Sequence, residues 1–152
     1  MTFQLAIAHE TPDQPDVIRL LHLADAYSDA LYPPESQHAL SLERLLAEKV
    51  RFFVARIDRR AVGCGGYQIF GDWGEIKRMF VDEAARGQGV GRAIIERLEK
   101  EARGEGVRTM RLETGIHHHA AHRLYEGAGY RERGPFGAYG PDPLCRFMEK
   151  AL

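Results

Sequence analysis

Apolar and polar positions change period several times along the chain, and each change marks an element. Residues 3–9, FQLAIAH, alternate with Phe3, Leu5 and Ile7 on one side, as a half-buried strand does. Thr11 and Pro12 then predict a helix start, since threonine can cap a helix and proline tolerates its first turn. Val17, Leu20, Leu21, Ala24, Tyr27 and Leu31 recur at helical spacing. The paired prolines of YPPESQH (32–38) end that helix. SLERLLAEKV (41–50) predicts a shorter helix with Leu42, Leu45 and Leu46 on its buried side.

From residue 51 the pattern is that of strands. RFFVARI (51–57) and AVGCGGYQIF (61–70) flank DRR, a hairpin turn, and GDWG (71–74) leads into a fourth strand, EIKRMFVD (75–82). A glycine-rich loop, RGQGVG (86–91), opens a helix with Val90, Ile94, Ile95, Leu98 and Ala102 on one face. GEG (104–106) stops it, and VRTMRLETG (107–115) is a fifth strand. HHHAAHRLYEGAGY (117–130) is helical through Ala120, Ala121, Leu124, Tyr125 and Ala128, with Gly129 suited to the residue after the cap. YRERG and LCRFMEKAL supply two last strands around the irregular PFGAYGPDP (135–143). The order βααβββαβαββ predicts an α/β or α+β fold: one mixed, twisted sheet of about seven strands with four helices. At 152 residues, with no linker or repeat, a single domain over 1–152 is expected.

Composition then removes alternatives. A formal charge of −1 offers no electrostatic case for nucleic acid or an anionic membrane as a partner. The opening MTFQLAIAHETPDQPD lacks a basic region and a long apolar run, so no signal peptide is expected. No stretch approaches the roughly 20 apolar residues a bilayer requires. Cys64 and Cys145 form neither a disulfide framework nor a metal-binding spacing, which points to a reducing, cytoplasmic setting. Both sit in apolar strand patterns, where a buried inert thiol is usual.

The glycine loop asks for an anion. A helix N-terminus presents unpaired N–H groups, and glycines let a phosphate come close to the backbone. The loop is no Walker motif, because no Gly-Lys-Ser/Thr follows, and GQGVGR lacks the spacing of a dinucleotide fingerprint. On the loop alone, a nucleotide phosphate, a coenzyme pyrophosphate and a plain tight turn all stay open.

Arg86-x-x-Gly89-x-Gly91 resembles the Q/R-x-x-G-x-G/A motif of the GNAT superfamily of N-acetyltransferases. EIKRMFV is similar to that family's fourth strand, RLETG to its fifth, and AAHRLYEGAGY to its A-x-x-L-Y-x-x-x-G-F/Y signature. The specific part of the likeness is residues 75–130, and the predicted element order is the family's own.

The resemblance implies a GNAT-like acyl-CoA N-acyltransferase fold and an acetyl-CoA site. Arg86 and the backbone N–H groups of Gly87, Gln88, Gly89, Val90, Gly91 and Arg92 would hold the pyrophosphate. The main chain of Met79, Phe80 and Val81 would pair with the pantetheine arm as an added strand. The fourth and fifth strands would splay to make room. The reaction would be direct transfer from acetyl-CoA to a primary amine in a ternary complex, since no nucleophile is well placed. Tyr125 stands at the family's general-acid tyrosine, and Glu75 at the general-base glutamate of one branch. Glu113, or ordered water, is the alternative base. His118 replaces an asparagine that often contacts the coenzyme, and histidine can still donate one hydrogen bond.

His118 and His122, four apart on a helix, lack a nearby set of further ligands, so no metal is expected. Tyr32, His38, Phe136 and Tyr139 would line the acceptor mouth, with Glu35 and Asp142 to meet a cation. A homodimer is compatible with this reading. The rival reading is a catalytically silent acyl-CoA-binding module, acting as sensor or interaction domain.

Overall fold

The computed structural model describes residues 4–152, so the expectation for Phe3 lies outside the described residues. The strands are β1 (Leu5–His9), β2 (Arg51–Ile57), β3 (Arg60–Phe70), β4 (Trp73–Val81), β5 (Thr109–Gly115), β6 (Arg131–Arg133) and β7 (Cys145–Ala151). The helices are α1 (Pro15–Asp29), α2 (Leu42–Ala47), α3 (Val90–Gly104) and α4 (His119–Gly127), with short 3₁₀ turns at Pro34–Ser36 and Glu83–Ala85. The order is the one the hydrophobic pattern predicts.

Boundaries moved where local chemistry differs from the expectation. Thr11 does not cap α1; its hydroxyl accepts from Asp13 N–H in a local turn, and the helix starts at Pro15 after an extended Gln14. Proline at the first helical position costs no hydrogen bond there. In α2, Ser41 caps by accepting from Arg44 N–H, but the helix is too short to bury two adjacent leucines. Leu45 is buried and Leu46 exposed. Leu31 lies past the end of α1 and is exposed as well.

The seven strands form one sheet in the order β1-β2-β3-β4-β5-β7-β6. Among the described residues only β4 and β5 pair in parallel. The β2–β3 hairpin turns on Asp58 and Arg59, both at positive φ, a backbone whose twist matches that of the strands it joins. Strand β2 is buried on both faces. Phe53 and Ala55 pack with Ile94, Ile95 and Leu98 of α3, while Phe52 and Val54 pack with Val17 and Leu20 of α1 and Leu45 of α2. That is the period-2 alternation of a strand sandwiched between helix layers.

Two irregularities position the site. Strands β4 and β5 pair only at Trp73–Thr109, Gly74–Met110 and Glu75–Arg111, and beyond this they part. The β3–β4 register slips between Cys64 and Gly66, and Arg78 sits opposite that slip at φ +55°. A non-glycine residue in this region costs about 1 kcal/mol. Arg78 is held there by Asp25 (2.6 Å) and the Leu21 carbonyl (3.2 Å) of α1. The bulge re-aims the last residues of β4 along the gap.

Candidate active site

The parted strands open a cleft of about 430 Å³, walled by α1, the 32–39 loop, β4, the glycine loop, β5 and α4. At one end lies the start of α3. Its first intrahelical bond is Ala93 N–H to the Gly89 carbonyl (3.1 Å), so the N–H groups of Gly89, Val90, Gly91 and Arg92 have no partner within the ladder. Gly87 and Gly89 stand at φ +81° and +78° with nothing within 4 Å of where a Cβ would be. These glycines therefore serve backbone conformation and clear space in front of the N–H groups.

The loop side chains have structural tasks. Arg86 donates from Nε to the Val81 carbonyl (3.2 Å), and its N–H goes to the Glu83 carbonyl (3.2 Å). Gln88 reaches the Ala84 carbonyl, and Arg92 ties α3 to the Gly127 carbonyl at the end of α4. Any anion here meets main chain at 87–92. Of Arg86 only the two terminal guanidinium nitrogens are left for it.

Along β4 the three residues expected to face a ligand do not behave alike. Asp82 N–H donates to the Val62 carbonyl (2.8 Å), which makes that opposed pair the hydrogen-bonded kind. By strand alternation Phe80 and Cys64, paired two residues on, are the next such pair. The main chain of Phe80 therefore belongs to the sheet. Met79 and Val81 face the gap, and the expectation for Phe80 is corrected.

Glu75 is buried at the end of the β4–β5 pairing, not on a solvated edge. Its Oε2 accepts from Tyr139 OH (2.5 Å) and lies 2.8 Å from Lys77 Nζ, which in turn donates to Tyr139 OH (2.9 Å). Both its charge and a lone pair are engaged. Glu113, on β5 past the parting, also lines the cleft, and burial pushes its carboxyl up to about 7 against the opposing effect of Lys77. Tyr125 reaches the same space from α4, its ring edge-on to Tyr130 (5.9 Å) and only 5% exposed. Burial, then the nearby Glu113, pushes its hydroxyl pKa upward, so it is protonated throughout the neutral range.

His118 lines the cleft beside the glycine loop, with Nδ1 2.8 Å from Tyr32 OH. His122 turns its Nε2 to the Gly115 carbonyl instead (2.8 Å). The two imidazoles serve separate partners. Of the expected acceptor mouth, Tyr32, His38 and Tyr139 line the cleft, but Phe136 packs beneath it against Trp73 and Phe147. Glu35 is exposed away from the lining. Asp142 clasps the two loops, accepting from Ser36 Oγ–H (2.7 Å) and Leu144 N–H (2.8 Å). It also stands near His38 and Cys145, with ligand-type atoms within 4.8 Å of one another. Two hydrogen bonds already use its oxygens, and the cluster is read as part of the clasp. Lys77 and Ser36 carried no motif and were not foreseen; only their place in the fold reveals them.

A profile of the Acetyltransferase (GNAT) family matches residues 17–130. The chain belongs to the GNAT family. It is 47% identical over 150 residues to the IAA acetyltransferase of Azospirillum brasilense, covering 97% of this chain and 98% of that one. A Bacillus subtilis N-acetyltransferase, YsnE, is 36% identical over 123 residues, 79% of this chain and 82% of its own. Among solved structures, a Klebsiella pneumoniae protein provisionally described as an acyl-CoA N-acyltransferase superposes with TM-score 0.82 at 36% identity, over 97% of both chains. The PaiA N-acetyltransferase of Thermoplasma acidophilum, solved with coenzyme A, shares the fold at TM-score 0.77 and 16% identity, over 98% and 99% of the two chains. This GNAT chain is an acyl-CoA-dependent N-acetyltransferase with the expected mixed seven-stranded sheet and four helices. No helix among the described residues is long and apolar enough to cross a membrane.

Proposed function

We propose that this enzyme moves the acetyl group of acetyl-CoA to a primary amine by direct attack within a ternary complex. One observation carries the reading: unpaired N–H groups at 87–92, an open strand edge at Met79 and Val81, and the Tyr125 hydroxyl converge on one cleft. The pyrophosphate rests on the loop, where the helix dipole and free donors favour negative charge. The pantetheine arm pairs with the main chain of Met79 and with the Val81 N–H, the Val81 carbonyl being shared with Arg86 Nε. This brings the thioester between β4 and β5, level with Tyr125 and Glu113.

An amine with a pKa near 10 arrives as an ammonium ion and must lose a proton before it can attack. Glu113 is the base. Its carboxyl titrates near the operating pH and carries no direct ion pair among the described residues, whereas Glu75 is bound to Lys77 and Tyr139. The free amine forms its bond to the thioester carbonyl carbon as the C=O electrons move to oxygen. Collapse then breaks the C–S bond, and the sulfur leaves with its electron pair. Tyr125 donates a hydrogen bond to that sulfur. Its raised pKa lies above that of an ordinary thiol, about 8.5, so it stabilises the developing thiolate without giving up its proton outright. The nitrogen sheds its second proton to solvent, leaving a neutral amide.

The acceptor end suits a cation, since Glu113 faces it and Lys77 is already paired with Glu75. The relative named IAA acetyltransferase directs the first screen to IAA-type acceptors beside simple amines. Thermal stability with acetyl-CoA, coenzyme A, ATP and NAD, followed by CoA release across an amine panel, tests the proposal. Stabilisation by ATP but not acetyl-CoA overturns it.

A further inference from the structure

Tyr32 belongs to the loop after α1, yet its hydroxyl is buried against the far wall of the cleft. It accepts from His117 N–H (2.9 Å) and meets His118 Nδ1 (2.8 Å). The ring lies where a side chain at Gly115 would be: a Cβ there would fall 2.1 Å from Tyr32 Cζ and OH. The glycine at the end of β5 is thus a socket for this tyrosine.

Counting protons decides which way the bond to His118 runs. A phenol has one proton to give, and the His117 N–H already occupies one of its lone pairs. Among the described residues Tyr32 OH has one acceptor to donate to, the Nδ1 lone pair of a neutral His118. Burial raises the Tyr32 pKa and lowers that of His118, so both partners are neutral at pH 7. The imidazole proton then sits on Nε2. Tyr27, edge-on at 5.1 Å, and Tyr32, parallel at 5.3 Å, hold the ring plane.

We infer that Tyr32 is a positioning residue: it fixes His118 as an Nε2–H donor, aimed at a hydrogen-bond acceptor of the bound acyl-CoA. The inference rests on the acetyl-CoA reading above. It explains how a histidine serves where a side-chain amide would donate without help. An amide N–H₂ is always a donor, but a neutral imidazole donates from only one nitrogen, and something must choose which. Here the choice comes from a residue of the acceptor-side loop, so that loop must be seated before His118 is set.

The tautomer is read without any coenzyme, from long-range ¹H–¹⁵N correlation spectra of ¹⁵N-histidine-labelled protein at pH 7.5. The His118 signals are assigned by their loss in His118→Asn. The wild type is expected to show a protonated Nε2 and a bare Nδ1. Tyr32→Phe should give a mixture of tautomers and raise KM for acetyl-CoA by the inverse of the fraction left as Nε2–H, about twofold for an even mixture. On the His118→Asn background the same change should leave KM unaltered. A proton on Nδ1 in the wild type, or an unchanged tautomer or KM in Tyr32→Phe, overturns the inference. The wild-type spectrum keeps it testable even if Tyr32→Phe folds poorly. If acetyl-CoA fails to bind the wild type at all, the coenzyme reading has failed, and the spectra report separately on the Tyr32–His118 pair.

Discussion

The Glu75 carboxylate and the Lys77 ammonium stand 2.8 Å apart, two residues apart on β4 and therefore on one face of the strand, with Tyr139 bonded to both. A carboxylate so engaged organises a wall; in the proposed mechanism the less encumbered Glu113 across the gap takes the proton. For wild type, kcat/KM should rise with pH through about 7, because only ionised Glu113 accepts a proton. Glu113→Gln should lower kcat/KM by roughly 10²- to 10⁴-fold at pH 7.5 and abolish that limb, leaving only the rise due to free amine. Glu75→Gln should keep the limb. The reverse pattern would return the role to Glu75.

The same group makes a prediction about stability that needs no substrate. Glu113 titrates near 7 when folded and near 4.5 when unfolded. Between these values the native state holds a proton that the unfolded chain has released, so stability falls as pH rises through the window. Above pH 7 the cost is about 3 kcal/mol. Glu113→Gln removes it, so the variant should melt above wild type at pH 8 and level with it near pH 4. Acid-sensitive pairs such as Arg56–Glu10 are common to both proteins and cancel in the difference. An equal Tm offset at both pH values would count against a raised Glu113.

Much of this was legible because it is local. The 2.0 and 3.6 periods located most strands and helices, and the glycines before α3 marked a loop whose unpaired N–H groups are set by a few consecutive residues. What local pattern cannot carry is who faces whom across the sheet. The parting of β4 and β5 leaves no trace in either strand's composition, yet it decides that Met79 and Val81 turn their main chain to the gap, where Arg86 already meets the Val81 carbonyl, while Phe80 pairs with β3. Glu75 and Glu113 look alike as sequence. Lys77 and Tyr139, the latter 64 residues from Glu75, distinguish them only after folding. Phe136 reads as a mouth residue because its loop is irregular, and it is buried because Trp73 and Phe147 converge on it from other strands.

Gly89 offers the sharpest test of the coenzyme site. Its φ of +78° is tolerable for aspartate at a cost of about 1 kcal/mol, and no atom blocks the new side chain. Gly89→Asp should therefore fold, with a slightly lowered Tm, while placing a carboxylate before the free N–H groups. Calorimetry should find acetyl-CoA affinity reduced at least about 100-fold, from lost access together with charge repulsion. Retained binding would move the pyrophosphate elsewhere.

Neither cysteine is placed to act as a nucleophile. Burial pushes both thiols up to about 12, so thiolate is scarce at neutral pH, and Cys64 is wholly enclosed between β2, β4 and α1. Steady-state kinetics should give intersecting double-reciprocal lines, as a ternary complex requires, and Cys145→Ser should turn over within about threefold of wild type. Parallel lines with an acetylated Cys145 competent to pass its acetyl to amine would replace direct attack by a two-step path.

Tyr125→Phe isolates the hydroxyl at the leaving group. Phenylalanine keeps the ring that packs on Tyr130 and within the α3–α4 core, so Tm should change little. The hydroxyl is the one polar atom of the side chain, and its hydrogen bond strengthens as the sulfur gains charge. Its loss should fall on the transition state more than on bound thioester. We expect kcat to drop about ten- to several hundred-fold, with acetyl-CoA affinity within a factor of about two. A poorer leaving group needs the hydrogen bond more than a good one does. Replacing the natural thioester by an acyl donor whose thiol has a markedly lower pKa should shrink the defect toward unity. If Tyr125→Phe is equally impaired with both donors, the tyrosine orients substrate and the thiolate departs unaided; if it is fully active with acetyl-CoA, the hydroxyl has no part in the reaction.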